Sequence, residues 1–254
     1  MQSKIETQLE RLLRRATHEA GMRPEFYRRL LDADVLVPIE PMPGQGQHGT
    51  IDAGSQLAVK MLMRKDGVGV IPFYSSARAV FEGSPLGEEC VSMRVRELFE
   101  ARPDMHFHLN PFSEFGREFL PHEVASLLSS GLPNANMEEI RIDEDFSFAP
   151  PRNPPAQILD SLRVLFSRNE QVESAFTADV SSPGTSEPRS LLIAIEVSSD
   201  HERILREAAA VMHEHDPQQM TIDLTLIERN GSGRTSTYFF KDASPFYTRK
   251  ASRN

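Results

Sequence analysis

Ala149-Pro150-Pro151-Arg152-Asn153-Pro154-Pro155-Ala156-Gln157-Ile158-Leu159-Asp160-Ser161-Leu162-Arg163-Val164-Leu165-Phe166 is the stretch on which the organisation of this 254-residue chain turns. Four prolines within residues 150–155 remove backbone donors and push each preceding residue away from the α region. Immediately afterwards Ile158, Leu159, Leu162, Leu165 and Phe166 recur at three- and four-residue spacing, with Asp160, Ser161 and Arg163 between them, the pattern of an amphipathic helix. A stiff joint feeding a helix is how a second domain begins. The expected organisation is residues 1–148 as one α+β domain, 149–155 as a proline-rich linker, and 156–254 as a second α+β domain. Each domain is expected to have a mixed or mainly antiparallel sheet with flanking helices.

Composition narrows the class. A hydrophobic share of 39% supplies packed cores. No run of about 18 apolar residues offers a membrane helix, and the start, Met1-Gln2-Ser3-Lys4-Ile5-Glu6, lacks the apolar segment of a secretory signal. The single cysteine, Cys90, allows neither an internal disulfide nor a cysteine metal cage, which fits a reducing cytoplasm. A formal charge of −9 argues against nucleic acid and anionic membrane as partners, since both reward a basic field. Arg11, Arg14, Arg15, Arg23, Arg28 and Arg29 alternate with Glu6, Glu10, Glu19 and Glu25, which makes an ion-paired helix surface.

In the first half, residues 3–20 read as a helix with Ile5, Leu9, Leu12, Leu13 and Ala16 inward and Gly21 as its stop. Pro24 opens a second helix. Residues 35–39 form a strand that Pro38 places at an edge. Leu57, Val59, Met61 and Met63 alternate along a half-buried strand, and Lys65-Asp66-Gly67 turns the chain into a second strand, residues 68–74. Ser75 is placed as the N-cap of a helix through Phe81. Cys90 to Arg102 runs from strand to helix, residues 105–109 are a strand stopped by Asn110-Pro111, and a helix opens at Pro121 and ends at Gly131. Residues 140–148 complete the half as a strand.

In the second half, residues 172–180 and 191–197 are strands, and Asp200 caps a helix reaching about His215. Residues 220–228 and 234–240 are read as two strands of a hairpin turning at Asn230-Gly231.

Each candidate for chemistry has a plainer structural reading. Gly44-Gln45-Gly46-Gln47-His48-Gly49 has dinucleotide-fingerprint spacing, but Pro41 and Pro43 precede it and no helix pattern follows, so it reads as a surface loop. His106 and His108 share one face of a strand, yet no third ligand stands at metal spacing. His213 and His215 suit a helix C-terminus when protonated. Ser75 and Ser76 lie at a strand–helix turn without Gly-x-Ser-x-Gly. Glu88 and Glu89 raise the Cys90 thiol pKa and make it a poor nucleophile. Asp143-Glu144-Asp145 lacks the glycine of a calcium loop. Asn230-Gly231-Ser232 is a sequon better explained as a turn. No catalytic, cofactor or metal residues are assigned.

Pro154-Pro155-Ala156-Gln157-Ile158-Leu159-Asp160-Ser161-Leu162, followed by Leu165-Phe166, closely resembles the domain junction of the bacterial SseB, or enhanced serine sensitivity, family. Further stretches agree in order: Arg23 to Leu31, Val35 to Pro38, Val70 to Ser76, Val95 to Glu100, Gly116 to Glu123, Leu191 to Glu196 and Ser244-Pro245-Phe246-Tyr247. The resemblance covers nearly the whole chain. It implies a two-domain cytoplasmic α+β protein with no agreed activity or catalytic residues, linked by name to serine tolerance. Family tails beyond Pro-Phe-Tyr can be longer, basic and aromatic, with tryptophan; here residues 248–254 are short and the chain has no tryptophan.

The expected function is a non-enzymatic interaction or regulatory protein with a protein partner, no cofactor, and no nucleic-acid or membrane partner. Phe73, Tyr74, Ser75, Asn110, Pro111, Phe246 and Tyr247 are named as an interaction surface. The alternatives are an amino-acid sensor using a cleft between the domains, and an immunity-like protein that masks its partner.

Overall fold

A computed structural model describes residues 6–40, 58–133, 146–181, 190–213, 215, 221–231 and 233–250. The chain is α+β, and its contacts divide it into two units: Met1–His18 with Glu25–Asn134, and Glu19–Pro24 with Ala135–Asn254. The glycine-rich loop at 44–49, the acidic run at 143–145 and Ser232 of the sequon lie outside the described residues.

The first unit is built from α1 (Gln8–His18), α2 (Arg23–Leu31, whose first two residues count with the other unit), β1 (Asp34–Pro38), β2 (Leu62–Met63), β3 (Gly69–Phe73), α3 (Ala77–Gly83), β4 (Cys90–Arg94), α4 (Val95–Ala101), β5 (His106–Leu109), β6 (Arg117–Phe119) and α5 (Pro121–Ser130). β1 pairs antiparallel with β4 and on its other side bridges Tyr74 through Leu36, so Pro38 ends a strand that has partners on both sides rather than one at an edge. The larger sheet has the order β2-β3-β5-β6, with β3 and β5 parallel and both outer strands antiparallel. Period two puts Ile71, Phe73, Phe107, Leu109 and Phe119 on one face, and all are buried. Phe99 of α4 completes an aromatic cluster there, 4.8 Å from Phe107, 5.6 Å from Phe119 and 6.0 Å from Phe73 between ring centroids. Such pairs contribute about 0.5–1.5 kcal/mol each beyond the area they bury. α5 ends at Gly131, whose φ of 78° makes the left-handed cap expected of glycine.

The second unit contains a 3-10 turn (Ala20–Met22), β7 (Ser147–Ala149), α6 (Ala156–Ser167), β8 (Val172–Ser181), β9 (Ser190–Val197), α7 (His201–His213), β10 (Ile222–Ile227), α8 (Arg234–Lys241) and β11 (Tyr247–Thr248). Its sheet has the order β10-β9-β8-β11, with β7 also on β8; β9 and β10 are parallel, and the other pairs are antiparallel. On one face Ile158, Leu162, Phe166, Ile204, Ala208 and Val211 cover Ala175, Ile193 and Ile195. On the other, Phe239 and Phe146 cover Phe176, Ala178, Leu192 and Ala194. Burial on both faces is why residues 191–195 are continuously apolar rather than alternating. Residues 149–155 fall within this unit by its contacts. They run from β7 to α6, and the Arg152 N–H donates to Asp179 Oδ2 of β8 at 3.1 Å.

The 3-10 turn packs against α6 at close range. A Cβ on Gly21 would overlap the Ser161 carbonyl and stand 2.8 Å from the Leu165 nitrogen. Glycine therefore serves here for close approach to a helix; it is not the stop of α1, which ends at His18 ahead of an extended Glu19.

Several local expectations are corrected. Residues 234–240 are helical, not a strand. β10 joins β9 in parallel through the α7 crossover, so no hairpin is needed after it. Three consecutive aromatics then fan out around a helix as two strand faces would not allow. Tyr238 stacks on Phe148 at 5.3 Å, Phe239 is fully buried, and Phe240 meets Phe176 edge-on at 5.6 Å. The N-cap of α3 is Ser76, not Ser75: the Ser76 hydroxyl accepts from the Ala79 N–H at 3.2 Å. The strand before the Asp-Gly turn is short, Leu62–Met63 with one bridge at Val59. The methionines here are open rather than half-buried, Met61 just before the strand at 53% and Met63 within it at 68% exposure. His215 lies two residues beyond the end of α7 and turns toward α6. Burial, followed by nearby Arg23, lowers its pKa, and its Nε2 lies 2.8 Å from the Ser161 hydroxyl.

Candidate functional site

Because β3 and β5 are parallel, they end at the same edge of their sheet. Tyr74-Ser75-Ser76 leaves the first and Asn110-Pro111-Phe112 leaves the second. Asn110 has φ 47° and Phe112 has φ 69°. Asparagine tolerates this left-handed region; a bulky residue adopts it only when its surroundings hold it there.

Those surroundings are hydrogen bonds. The Asn110 N–H donates to the Phe73 carbonyl at 2.9 Å, and its own carbonyl accepts from the Ser113 N–H at 3.2 Å. Its Oδ1 accepts from the Ser75 N–H at 2.9 Å, and its Nδ2 donates to the Ser75 hydroxyl at 2.9 Å. Every polar group of this buried residue has a partner, as burial demands. Gly116 closes the loop from the other side. A Cβ there would lie 2.8 Å from the Asn110 carbonyl oxygen and 3.1 Å from His108 Nε2. Within this clamped loop Phe115 turns in, edge-on to His18 at 6.0 Å, while Phe112 points out with 72% of its surface exposed.

The clamp rests on Glu10, which is only 8% exposed. Thr7 and Glu10 form a capping box at the start of α1. The Thr7 N–H donates to Glu10 Oε2 at 2.8 Å, and the Glu10 N–H donates to Thr7 Oγ1 at 3.1 Å. The other carboxylate oxygen, Oε1, accepts from the Ser76 hydroxyl at 2.8 Å and the Ser75 hydroxyl at 3.1 Å. Arg78 stands 3.4 Å from Oε2. Burial pushes this carboxyl upward in pKa. The Thr7 amide, the two serine hydroxyls and Arg78 outweigh it and leave the group below its ordinary value. One carboxylate thus joins the start of α1 to the β3–α3 turn and, through Ser75, to Asn110. The Ser75 hydroxyl lies within hydrogen-bond reach of both this carboxylate and Asn110 Oδ1.

The residues assigned to an interaction surface from sequence divide into three groups. Phe73, Tyr74, Asn110 and Pro111 are buried, so they form the scaffold of this edge rather than its outer face. Phe73 belongs to the aromatic cluster, and Tyr74 pairs its backbone with Leu36 and packs on Ala79 and Val80. Ser75 is half-buried within the clamp. Phe246 and Tyr247 belong to the other unit and staple its C-terminal strand. The Phe246 N–H donates to the Ala175 carbonyl at 2.9 Å, the Tyr247 hydroxyl donates to the Phe166 carbonyl at 3.0 Å, and Arg163 lies over the Phe246 ring at 5.6 Å.

His106 and His108 share a sheet face as their spacing requires, next to Glu118 of β6. His106 Nδ1 lies 3.2 Å from Glu118 Oε1, and Arg64 reaches the same oxygen at 2.6 Å. Burial lowers the His108 pKa, with Glu118 opposing it. Among the described residues no group of three or more His, Cys, Asp or Glu could hold a metal ion. The Cys90 thiol is pushed up to about 11, by burial first and then by Glu88, with Lys60 opposing.

Sequence reading took Glu10 as one member of an ion-paired helix. The pattern Thr7-x-x-Glu10 ahead of an apolar stripe was the available sign of its cap. Its reach to Ser75 and Ser76 joins residues 65 and 66 positions apart in sequence and has no local signal.

The SseB protein N-terminal domain model matches residues 9–126, and the SseB protein C-terminal domain model matches residues 140–249. The chain is 31% identical to Protein SseB of Escherichia coli (strain K12) over 249 residues, covering 98% of this chain and 94% of that protein. Protein SseB of Shigella flexneri matches to the same extent. No solved structure matches. Both domain models in order, and a relative aligned over almost its whole length, lead to one assignment: the chain belongs to the SseB protein family.

Proposed function

We propose that this chain is a non-enzymatic protein-binding member of its family, and that Phe112 is the anchor it offers to a protein partner. The observation that carries this reading is an exposed phenylalanine held at φ 69° on a loop fastened by the buried Asn110–Ser75–Glu10 network. Large aromatics presented on a pre-ordered backbone are what binding hot spots use, because little ordering entropy remains to be lost. A non-catalytic role is supported by Ser75: its hydroxyl faces Asn110 and a carboxylate whose lowered pKa suits structure better than proton abstraction. The acid balance of the chain supports a protein over nucleic acid or anionic lipid as partner. Among the described residues no helix is long and apolar enough to cross a membrane. A cytoplasmic setting and a regulatory link to serine tolerance belong to the same proposal, supported by the single cysteine and by the family resemblance.

The test is gentle affinity purification of the full chain and of F112A from cells. The expected result is a specific protein recovered at near-stoichiometric amount with the wild type and lost with F112A, the two chains having equal thermal stability. Equal capture by F112A, or recovery of the wild type only as free monomer, would overturn the proposal.

A further inference from the structure

The open methionines at the start and end of the chain segment 61–63 flank Leu62. Met61 lies just before β2 and Met63 ends it, and the sulfurs of both come to the same point beside Gly69. Met63 sits opposite Gly69 in the antiparallel β2–β3 pair. In the parallel β3–β5 pair Val70 faces His106, which sets Met105 beside Gly69 on its other side. Gly69 has no side chain to fill the gap between them, and three methionine side chains reach the space it leaves. The sulfurs of Met61 and Met63 lie 3.5 and 3.9 Å from the point a Gly69 Cβ would occupy, and the Met105 methyl lies 4.0 Å from it. With 53% and 68% of their surface exposed, Met61 and Met63 are not core filler.

We propose that Met61, Met63 and Met105 form a site for a soft monovalent metal ion, Cu(I) in chemical class, bound by three neutral thioether sulfurs over Gly69. Thioethers are soft ligands that select Cu(I), while Zn²⁺ and Mg²⁺ call for thiolate, imidazole or oxygen donors. The three come from two separate stretches of chain, and thioether side chains have the rotatable bonds to close on an ion. The neighbouring cation is already balanced: Arg64 is ion-paired with both Asp66 and Glu118. The site is independent of the Phe112 surface and of any reading of it.

The experiment is titration of Ag(I), the air-stable probe for Cu(I), into the full chain carrying Cys90→Ser, which removes the competing thiol. Binding is followed by calorimetry and by the ¹³C signals of methionine ε-methyls. The expected result is one equivalent bound, with the Met61, Met63 and Met105 methyls shifting among the ten methionines of the chain. Met63→Leu keeps the volume and the fold and should weaken binding by at least about tenfold, the scale seen even for outer-shell changes at metal sites. Replacing all three by leucine should abolish it. Binding should persist at about pH 5, because thioethers carry no proton to compete, unlike thiolate or imidazole ligands. No Ag(I) binding in the Cys90→Ser chain, shifts confined to other methionines, or unchanged affinity in the triple leucine variant would each overturn the proposal.

Discussion

Asn110 can be separated by mutation into a backbone that needs φ 47° and a side chain that holds Ser75. Asn110→Ala removes both contributions. Alanine in the left-handed region costs roughly 1–2 kcal/mol. The Ser75 N–H then loses its Oδ1 acceptor, and a buried amide without a partner costs about 1–3 kcal/mol. The sum is about 2–5 kcal/mol of local stability. Asn110→Gly removes only the side chain. It adopts φ 47° without strain, although its more flexible unfolded chain returns about 0.4–1 kcal/mol of that advantage. Glycine should therefore be less damaging than alanine by about half to one kcal/mol, even though it is the smaller residue. The assay is hydrogen exchange by mass spectrometry over β3, α3 and residues 110–116, read as local opening free energies. These avoid treating a two-unit chain as a single two-state transition. If alanine proves equal to glycine or better, no strain is stored at this position. If both variants stay within about 0.5 kcal/mol of the parent, a span typical of featureless surface sites, the clamp does not hold the loop and the case for Phe112 as a pre-ordered anchor fails with it.

Three further outcomes are expected. Glu10→Gln should weaken protection in α1 and α3 by about 1.5–3 kcal/mol, the scale of hydrogen bonds to a charged group. Because the folded pKa of Glu10 lies below the ordinary 4.5, its contribution is complete above that value and is lost as pH falls through the folded value. That part of the acid sensitivity should vanish in the glutamine variant. The burial-lowered pKa of His108 predicts a loss of stability that begins as pH falls through the ordinary 6.5 and ends once its folded pKa is passed. A denaturation midpoint measured from pH 8 to pH 5 should be flatter in His108→Gln, and an unchanged slope would remove His108 as the cause. Gly21→Ala should cost about 1–3 kcal/mol by forcing the turn off α6, as overpacking does. It should expose α6 amides to exchange, whereas an effect confined to α1 would point to helix propensity instead.

The regular parts of the fold were legible where one face decides burial. Leu9, Leu12, Leu13 and Ala16 of α1, and Ile158, Leu162 and Phe166 of α6, are buried as their spacing requires. The α+β class followed from such segments. What failed did so where a partner distant in sequence decides. The threonine- and aromatic-rich run at 234–240 has the composition of a strand. It folds as a helix because the parallel placement of β10 leaves a sheet face for Phe239 to cover. At the candidate site, Asn110-Pro111 was rightly read as a strand stop, and Ser75 as part of a strand–helix turn. Ser75 hands the cap to Ser76 because its own hydroxyl is taken up by Asn110 and Glu10. The alternation through Val59, Met61 and Met63 became only a bridge and a two-residue strand with both methionines open, because no local pattern reveals whether a strand face is later covered.

The 3-10 turn at Ala20–Met22 has a consequence for how this chain is made and cut. Ala20 belongs to the core that α6, α7 and β9 form much later in the sequence. During synthesis that fragment leaves the ribosome first and must wait for all of residues 25–134 before its partner exists, a long-range closure of the kind that slows folding. Since Met1–His18 counts with the other unit, the two are interleaved along the chain, and no single cut yields either one whole. A C-terminal fragment begun at the prolines would lack both β7 and the turn. It would present the bare Asp179–Ser181 edge of β8 and the uncovered Ser161–Leu165 face of α6, an open sheet margin that invites pairing with a neighbouring chain.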